Sequence, residues 1–167
     1  MKKNETKKKD EAKCAEVMTK DPVCCLPADA AVKAARLMKE SDVGPIPVVE
    51  DERTKKLVGI VTDRDLALKV VAEGRDPNAV KVEEVMSREL VTCRAEDDLH
   101  KAIELMAERQ LRRIPVVDEG GRVVGIIAQA DVATRTETPE KTAGVVEEIS
   151  KPRGVAEKDA RQHAATA

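Results

Sequence analysis

The 167-residue chain predicts a mixed α/β (α+β) fold: two strand-helix-strand-strand-helix repeats packed sheet to sheet with pseudo-two-fold symmetry. Three observations predict it. Apolar runs with strand composition, Ile46-Pro47-Val48-Val49 and Leu57-Val58-Gly59-Ile60-Val61, alternate with segments of helical apolar spacing. The whole pattern then occurs a second time. Each copy is roughly sixty residues, too small to bury a good core alone, so the two are expected to share one.

The register of the repeat is close. Val85-Met86 answers Val17-Met18, Cys93 answers Cys25, Asp97 answers Asp29, and Ile114-Pro115-Val116-Val117 answers Ile46-Pro47-Val48-Val49, all at an offset of 68 (Pro115 against Pro47). After the hairpin the offset becomes 66 (Gly125 against Gly59, Asp131 against Asp65), so the second hairpin is two residues shorter.

In chain order, residues 1–13 are Lys-rich with acidic residues interleaved and little to bury, and read as a disordered basic arm. The first repeat spans 14–76. It opens on a turn at Cys14–Met18, followed by a short strand at Val23–Leu26 and a helix from Ala30 to Ser41 capped by Asp29. Ala31, Ala34, Ala35 and Met38 form that helix's inward stripe. A hairpin with its polar tip at Glu50–Lys56 follows, then a helix from Thr62 to about Gly74 carrying Leu66, Lys69, Val70 and Val71. The second repeat spans 77–134, its helix stripe being Leu99, Ala102, Ile103 and Met106. A polar tail at 135–167 contains one candidate short helix at 145–149.

Composition removes several function classes. Thirty basic residues face 32 acidic ones, so there is no general attraction to nucleic acid or to an acidic membrane surface. Phe, Tyr and Trp are absent, which removes platforms for base stacking. No apolar run is long enough to span a bilayer, and no signal-type segment follows the basic start, so a cytoplasmic location is expected. Cys14, Cys24, Cys25 and Cys93 form no CxxC pair, and with only His100 and His163 beside them a four-ligand zinc site lacks partners. No nucleophile–base pair and no G-x-x-x-x-G-K loop appear, so a binding module is expected rather than an enzyme.

The stretch Gly59 to Asp65 is the candidate site. A buried strand ends in Thr62, positioned as a helix cap, and Asp65 follows three residues on. A strand end feeding a helix start offers backbone N–H donors and a positive dipole end, which suits an anion. The simpler reading of Asp65 and Asp131 is a dipole-favoured carboxylate worth about 0.3–1 kcal/mol.

The tandem Val-Met, short strand, helix, Ile-Pro-Val-Val and Val-Gly-Ile-Val-Thr-Asp-Arg-Asp pattern resembles the cystathionine-β-synthase (CBS) domain, over residues 14 to 134. Two such domains form a Bateman module, here of the stand-alone bacterial or archaeal type. The resemblance implies a regulatory module that senses adenine nucleotides or related adenosyl ligands in clefts between the repeats. No cofactor is required, and AMP, ADP, ATP and S-adenosylmethionine are the candidate ligands. It implies a homodimer, formed through the repeats' helices, and an effector protein still to be identified.

The resemblance also implies residues. Thr62 and Asp65 contact ribose and phosphate, with Arg64 beside them. Val23, Cys24 and Cys25, with Gly44, Pro45, Ile46 and Pro47, enclose the base. In the second repeat the corresponding positions are Thr92, Cys93, Arg113, Ile114, Pro115, Ala128 and Asp131. Ala128 stands where Thr62 stands, so the Asp65 cleft is expected to be the better equipped. Arg113 is a candidate phosphate clamp, because a guanidinium fork matches phosphate oxygens. The readings set against this one are a ligand-free interaction or stress-associated scaffold, and a metal- or thiol-based sensor.

Overall fold

The structure, a computed structural model, describes residues 12–135. All but the end of the expected arm, and the tail with its short helix at 145–149, lie outside the described residues. Helices α1 (Cys14–Val17), α2 (Ala31–Ser41), α3 (Asp63–Leu66), α4 (Val82–Val85), α5 (Leu99–Glu108) and α6 (Gln129–Arg135) alternate with six strands. These are β1 (Thr19–Lys20), β2 (Pro45–Val49), β3 (Leu57–Thr62), β4 (Cys93–Arg94), β5 (Arg113–Val117) and β6 (Val123–Ala128). One sheet has the order β1-β6-β5-β4, and the other is the hairpin β2-β3.

The two hairpins copy each other down to their irregularities. Pro45 pairs with Thr62 and Val48 with Gly59; Arg113 pairs with Ala128 and Val116 with Gly125. Both ladders slip at one point, between Val48 and Val49 and between Val116 and Val117. The expected strand at Val23–Leu26 is reduced to one parallel bridge: Cys25 N–H donates to Pro47 O (3.1 Å) and Val49 N–H to Cys25 O (2.9 Å). Its counterpart β4 makes a two-residue parallel ladder on β5.

The opening turns are exchanged. Instead of one shared core, the buried residues fall into two clusters, and each takes its last members from the other repeat. Val80, Val82, Val85 and Met86 pack with Ala31, Met38, Ile46, Val61 and Val70, while Cys14 and Val17 pack with Leu99, Met106, Ile114 and Ile127. Backbone hydrogen bonds fix both exchanges in the same way: Val82 N–H to Asp29 O (2.9 Å), and Cys14 N–H to Asp97 O (3.0 Å). Each buried Val contributes about 1.5–3 kcal/mol, so neither core is complete without the other repeat's turn.

Gly59 and Gly125 make the exchange close-packed. A Cβ on Gly59 would collide with the Met86 sulfur and lie 3.2 Å from Ser87 O; one on Gly125 would collide with the Met18 side chain. Beside these contacts Ser87 and Ile60 exchange two backbone bonds (2.8 and 3.0 Å), and Thr19 pairs with Ile126 at the equivalent place.

Two local expectations are corrected. Ala30, not Asp29, is the N-cap of α2, because the Asp29 carboxylate turns back to accept from Leu26 N–H (2.8 Å) and to pair with Lys33 (2.8 Å). Ala35 is exposed although its partner Ile103 is buried; the α2 stripe is Ala31, Ala34 and Met38, with Leu37 half-buried beside it. The helix after Thr62 also widens into a π-helical turn at Ala67–Val71, where Ala72 N–H reaches Ala67 O (2.9 Å). Val70 is buried there, whereas Leu68 and Val71 are 53% and 75% exposed.

Candidate functional site

The β3–α3 junction is built as the Thr and Asp spacing requires. Thr62 is extended backbone at the N-cap of α3, and its Oγ1 accepts from Asp65 N–H (3.1 Å). In return Asp65 Oδ2 accepts from Thr62 N–H (3.0 Å) and from the Thr62 hydroxyl (2.7 Å), a reciprocal capping box. Asp65 Oδ1 pairs with Lys69 Nζ at 2.8 Å, and that ammonium also donates to Val85 O at 2.6 Å.

Burial pushes the Asp65 carboxyl up, but the hydrogen bonds from Lys69, from the Thr62 hydroxyl and from Thr62 N–H together outweigh it. The group is held below the usual carboxylate range. It is a fixed, ionised acceptor whose side chain is 20% exposed.

The backbone donors expected to receive an anion at this junction are already paired within the chain. Asp63 N–H donates to Gly44 O (3.1 Å), Arg64 N–H to Asp63 Oδ1 (2.8 Å) and Asp65 N–H to Thr62 Oγ1, so the first three donors of α3 are in use. Two carboxylates, Asp63 and Asp65, share the same turn. The junction therefore presents acceptors, which suit hydroxyl donors such as a ribose diol, better than it presents donors for phosphate.

The strand pairing brings Gly44, Pro45, Thr62 and Asp65 together: Pro45 lies opposite Thr62, and Gly44 lies within reach of the Asp63 carboxylate. Arg64 is exposed. Ile46 and Pro47 are fully buried and offer the site only backbone. Val23 is 37% exposed. Cys24 and Cys25 face opposite ways, as adjacent strand residues do. Cys25 is in the core, its thiol pushed up to about 12 by burial and by the charges of Asp29 and Cys24.

A separate cavity of about 270 Å³ lies at the other end of β2. Pro22, Cys24, Leu26, Asp29, Lys33, Val49, Glu52 and Lys55 line it, and neither Thr62 nor Asp65 does. Lys33 is paired with Asp29, so the charges there largely cancel.

The second repeat places its residues alike. Gln129 N–H donates to Arg112 O (2.9 Å), as Asp63 does to Gly44, and Ala128 N–H donates to Asp131 Oδ2 (2.9 Å). The methyl of Ala128 removes the two hydroxyl bonds present at Thr62. Arg113 is half-buried opposite Ala128, Thr92 is half-buried, and Ile114 and Pro115 are buried. Cys93 is buried with Cys14, and its thiol is pushed up by that neighbour and by burial. Among the described residues no group of three or more His, Cys, Asp and Glu side chains could hold a metal ion.

Sequence reasoning passed over two residues of this site. Lys69 was legible as the i+4 partner of Asp65. Asp63 stands in the Thr-Asp-Arg-Asp motif, but its approach to Gly44 exists only once the hairpin has formed.

Comparison with known families decides the assignment. The CBS domain profile matches twice, over residues 14–72 and 82–136. The chain belongs to the CBS domain family. As a CBS pair it is similar to the CBS domain-containing protein YhcV of Bacillus subtilis, 41% identical over 135 residues that cover 81% of this chain and 93% of that one. Among solved structures it is similar to Hypoxic Response Protein I, crystallised with two coordinated zinc ions (31% identity, 75% of this chain, 99% of that chain, TM-score 0.68). It is also similar to the CBS domain pair of protein MJ0100, in complex with 5-methylthioadenosine and S-adenosyl-L-methionine (28% identity, 74% and 94%, TM-score 0.65). No helix among the described residues is long and apolar enough to cross a membrane.

Proposed function

We propose that this CBS pair is a non-catalytic regulatory module that binds an adenosyl ligand, an adenine nucleotide or S-adenosylmethionine, foremost at the Asp65 junction. The observation that carries the reading is the Asp65 carboxylate: ionised, fixed by Thr62 and Lys69, and partly open, it is an acceptor suited to vicinal ribose hydroxyls. The adenosyl ligands bound by the MJ0100 pair support the ligand class. Phosphate, where a ligand carries it, is served by Arg64 or, in the second cleft, by Arg113. The base is enclosed by Gly44 and Pro45 with the Val23–Cys24 segment. Binding changes the conformation or the dimer geometry, and an effector protein reads the change. Exposed Leu68 and Val71 support a homodimer through the helix after β3.

The experiment is a thermal-shift and titration panel of AMP, ADP, ATP and S-adenosylmethionine on the wild type, Asp65→Ala and Asp131→Ala. A ligand at 100 times its Kd stabilises the fold by about 2.7 kcal/mol. The shift is expected to vanish in Asp65→Ala and to persist in Asp131→Ala. The occupied N–H donors of α3 favour a second reading, a ligand-free scaffold; no shift with any of the four ligands would establish it over the first.

A further inference from the structure

Lys69 joins the candidate site to the exchanged turn of the second repeat. Its ammonium bonds Asp65 Oδ1 (2.8 Å) on one side and Val85 O (2.6 Å) on the other. Val85 ends α4, and the last carbonyls of a helix have no partner within it, so the ammonium serves as a C-terminal cap. Immediately beyond, Met86 covers Gly59 and Ser87 pairs with Ile60. One side chain thus ties the ligand-facing carboxylate to the segment that closes the first core.

We infer that Lys69 is the positioning residue through which occupancy of the Asp65 cleft is transmitted to α4 and the Met86–Ser87 crossing. The inference rests on the reading of Asp65 as the ribose acceptor. Asp65 Oδ2 already accepts twice from Thr62, and Oδ1 accepts from Lys69. A carboxylate oxygen holds about two hydrogen bonds, so a diol with two donors finds one open place, on the Oδ1 that Lys69 shares, and its second hydroxyl competes with Lys69 there. An ammonium that has lost the carboxylate is no longer fixed in place against Val85 O, so the cap of α4 weakens and the crossing loosens. The second repeat has Ala128 in place of Thr62, so the same trade is not built there in the same form.

Hydrogen–deuterium exchange on the full chain tests this, with saturating S-adenosylmethionine and separately with AMP, ADP and ATP, in wild type and Lys69→Met. In wild type the bound ligand is expected to speed exchange at the Met86 and Ser87 amides. Lys69→Met should exchange fast there without ligand, show no further acceleration with it, and bind about fivefold tighter, the worth of one displaced hydrogen bond. Binding that leaves or slows those amides in wild type overturns the coupling while keeping Asp65 as the ligand group; so does an unchanged affinity in Lys69→Met. Failure of all four ligands to bind wild type overturns this inference together with the reading beneath it. If Lys69→Met does not fold, the wild-type arm decides alone.

Discussion

Thr62 and Asp65 hold each other by three hydrogen bonds, two of them through the Thr62 hydroxyl at 2.7 and 3.1 Å. At the matching place Ala128 keeps the backbone bond to Asp131 at 2.9 Å but has no hydroxyl to add. Thr62 and Ala128 thus differ by one hydroxyl set on the same backbone hydrogen bond.

That relationship predicts a transplant. Ala128→Thr should complete the second box and raise stability by about 0.5–2 kcal/mol, the usual worth of an N-cap side chain, while Thr62→Ala should cost a similar amount. Urea unfolding measures both, with the slope unchanged and the midpoint moved in opposite directions. An Ala128→Thr variant less stable than wild type would show that the second junction cannot take the geometry of the first.

The Asp65 carboxyl gives a pH prediction. Its folded pKa lies below the unfolded value, so its ionised form stabilises the fold above about pH 4 and the contribution is lost as pH falls through the folded pKa. In Asp65→Asn this contribution is missing. The stability difference between wild type and variant should be constant near neutrality and shrink steadily on acidification, followed by denaturant unfolding from pH 7 downward. A difference independent of pH would mean that Lys69 and Thr62 do not hold the carboxylate as described.

Much of this was legible in the sequence because it is local. The Thr62-x-x-Asp65 spacing is a capping signal, and the paired offsets make the two hairpins copies of each other with the second two residues shorter. The exchange of α1 and α4 was not legible. Val17 and Val85 are apolar in either arrangement, and nothing in their own repeat says which core they enter. The filled donors at the start of α3 escaped for a related reason: Gly44 O reaches Asp63 only after the hairpin folds. A helix start read alone always looks open, because its partners come from elsewhere in the chain.

The crossing of the repeats can be tested at Gly59. An alanine there places a methyl against the Met86 sulfur and 3.2 Å from Ser87 O, so Gly59→Ala should destabilise by about 1–3 kcal/mol through overpacking. Part of that cost arises from a side chain of the other repeat, and a double-mutant cycle isolates it. Met86→Ala alone opens a cavity in the first core, since Met86 is 7% exposed there, and should also destabilise. The pair Gly59→Ala, Met86→Ala should lose less than the sum of the two singles, because the new methyl occupies space the sulfur has left. The Ser87 carbonyl does not move out of the way, so the rescue is expected to be partial. Strict additivity in denaturant unfolding would separate the two residues energetically and leave the exchanged turn without its central contact.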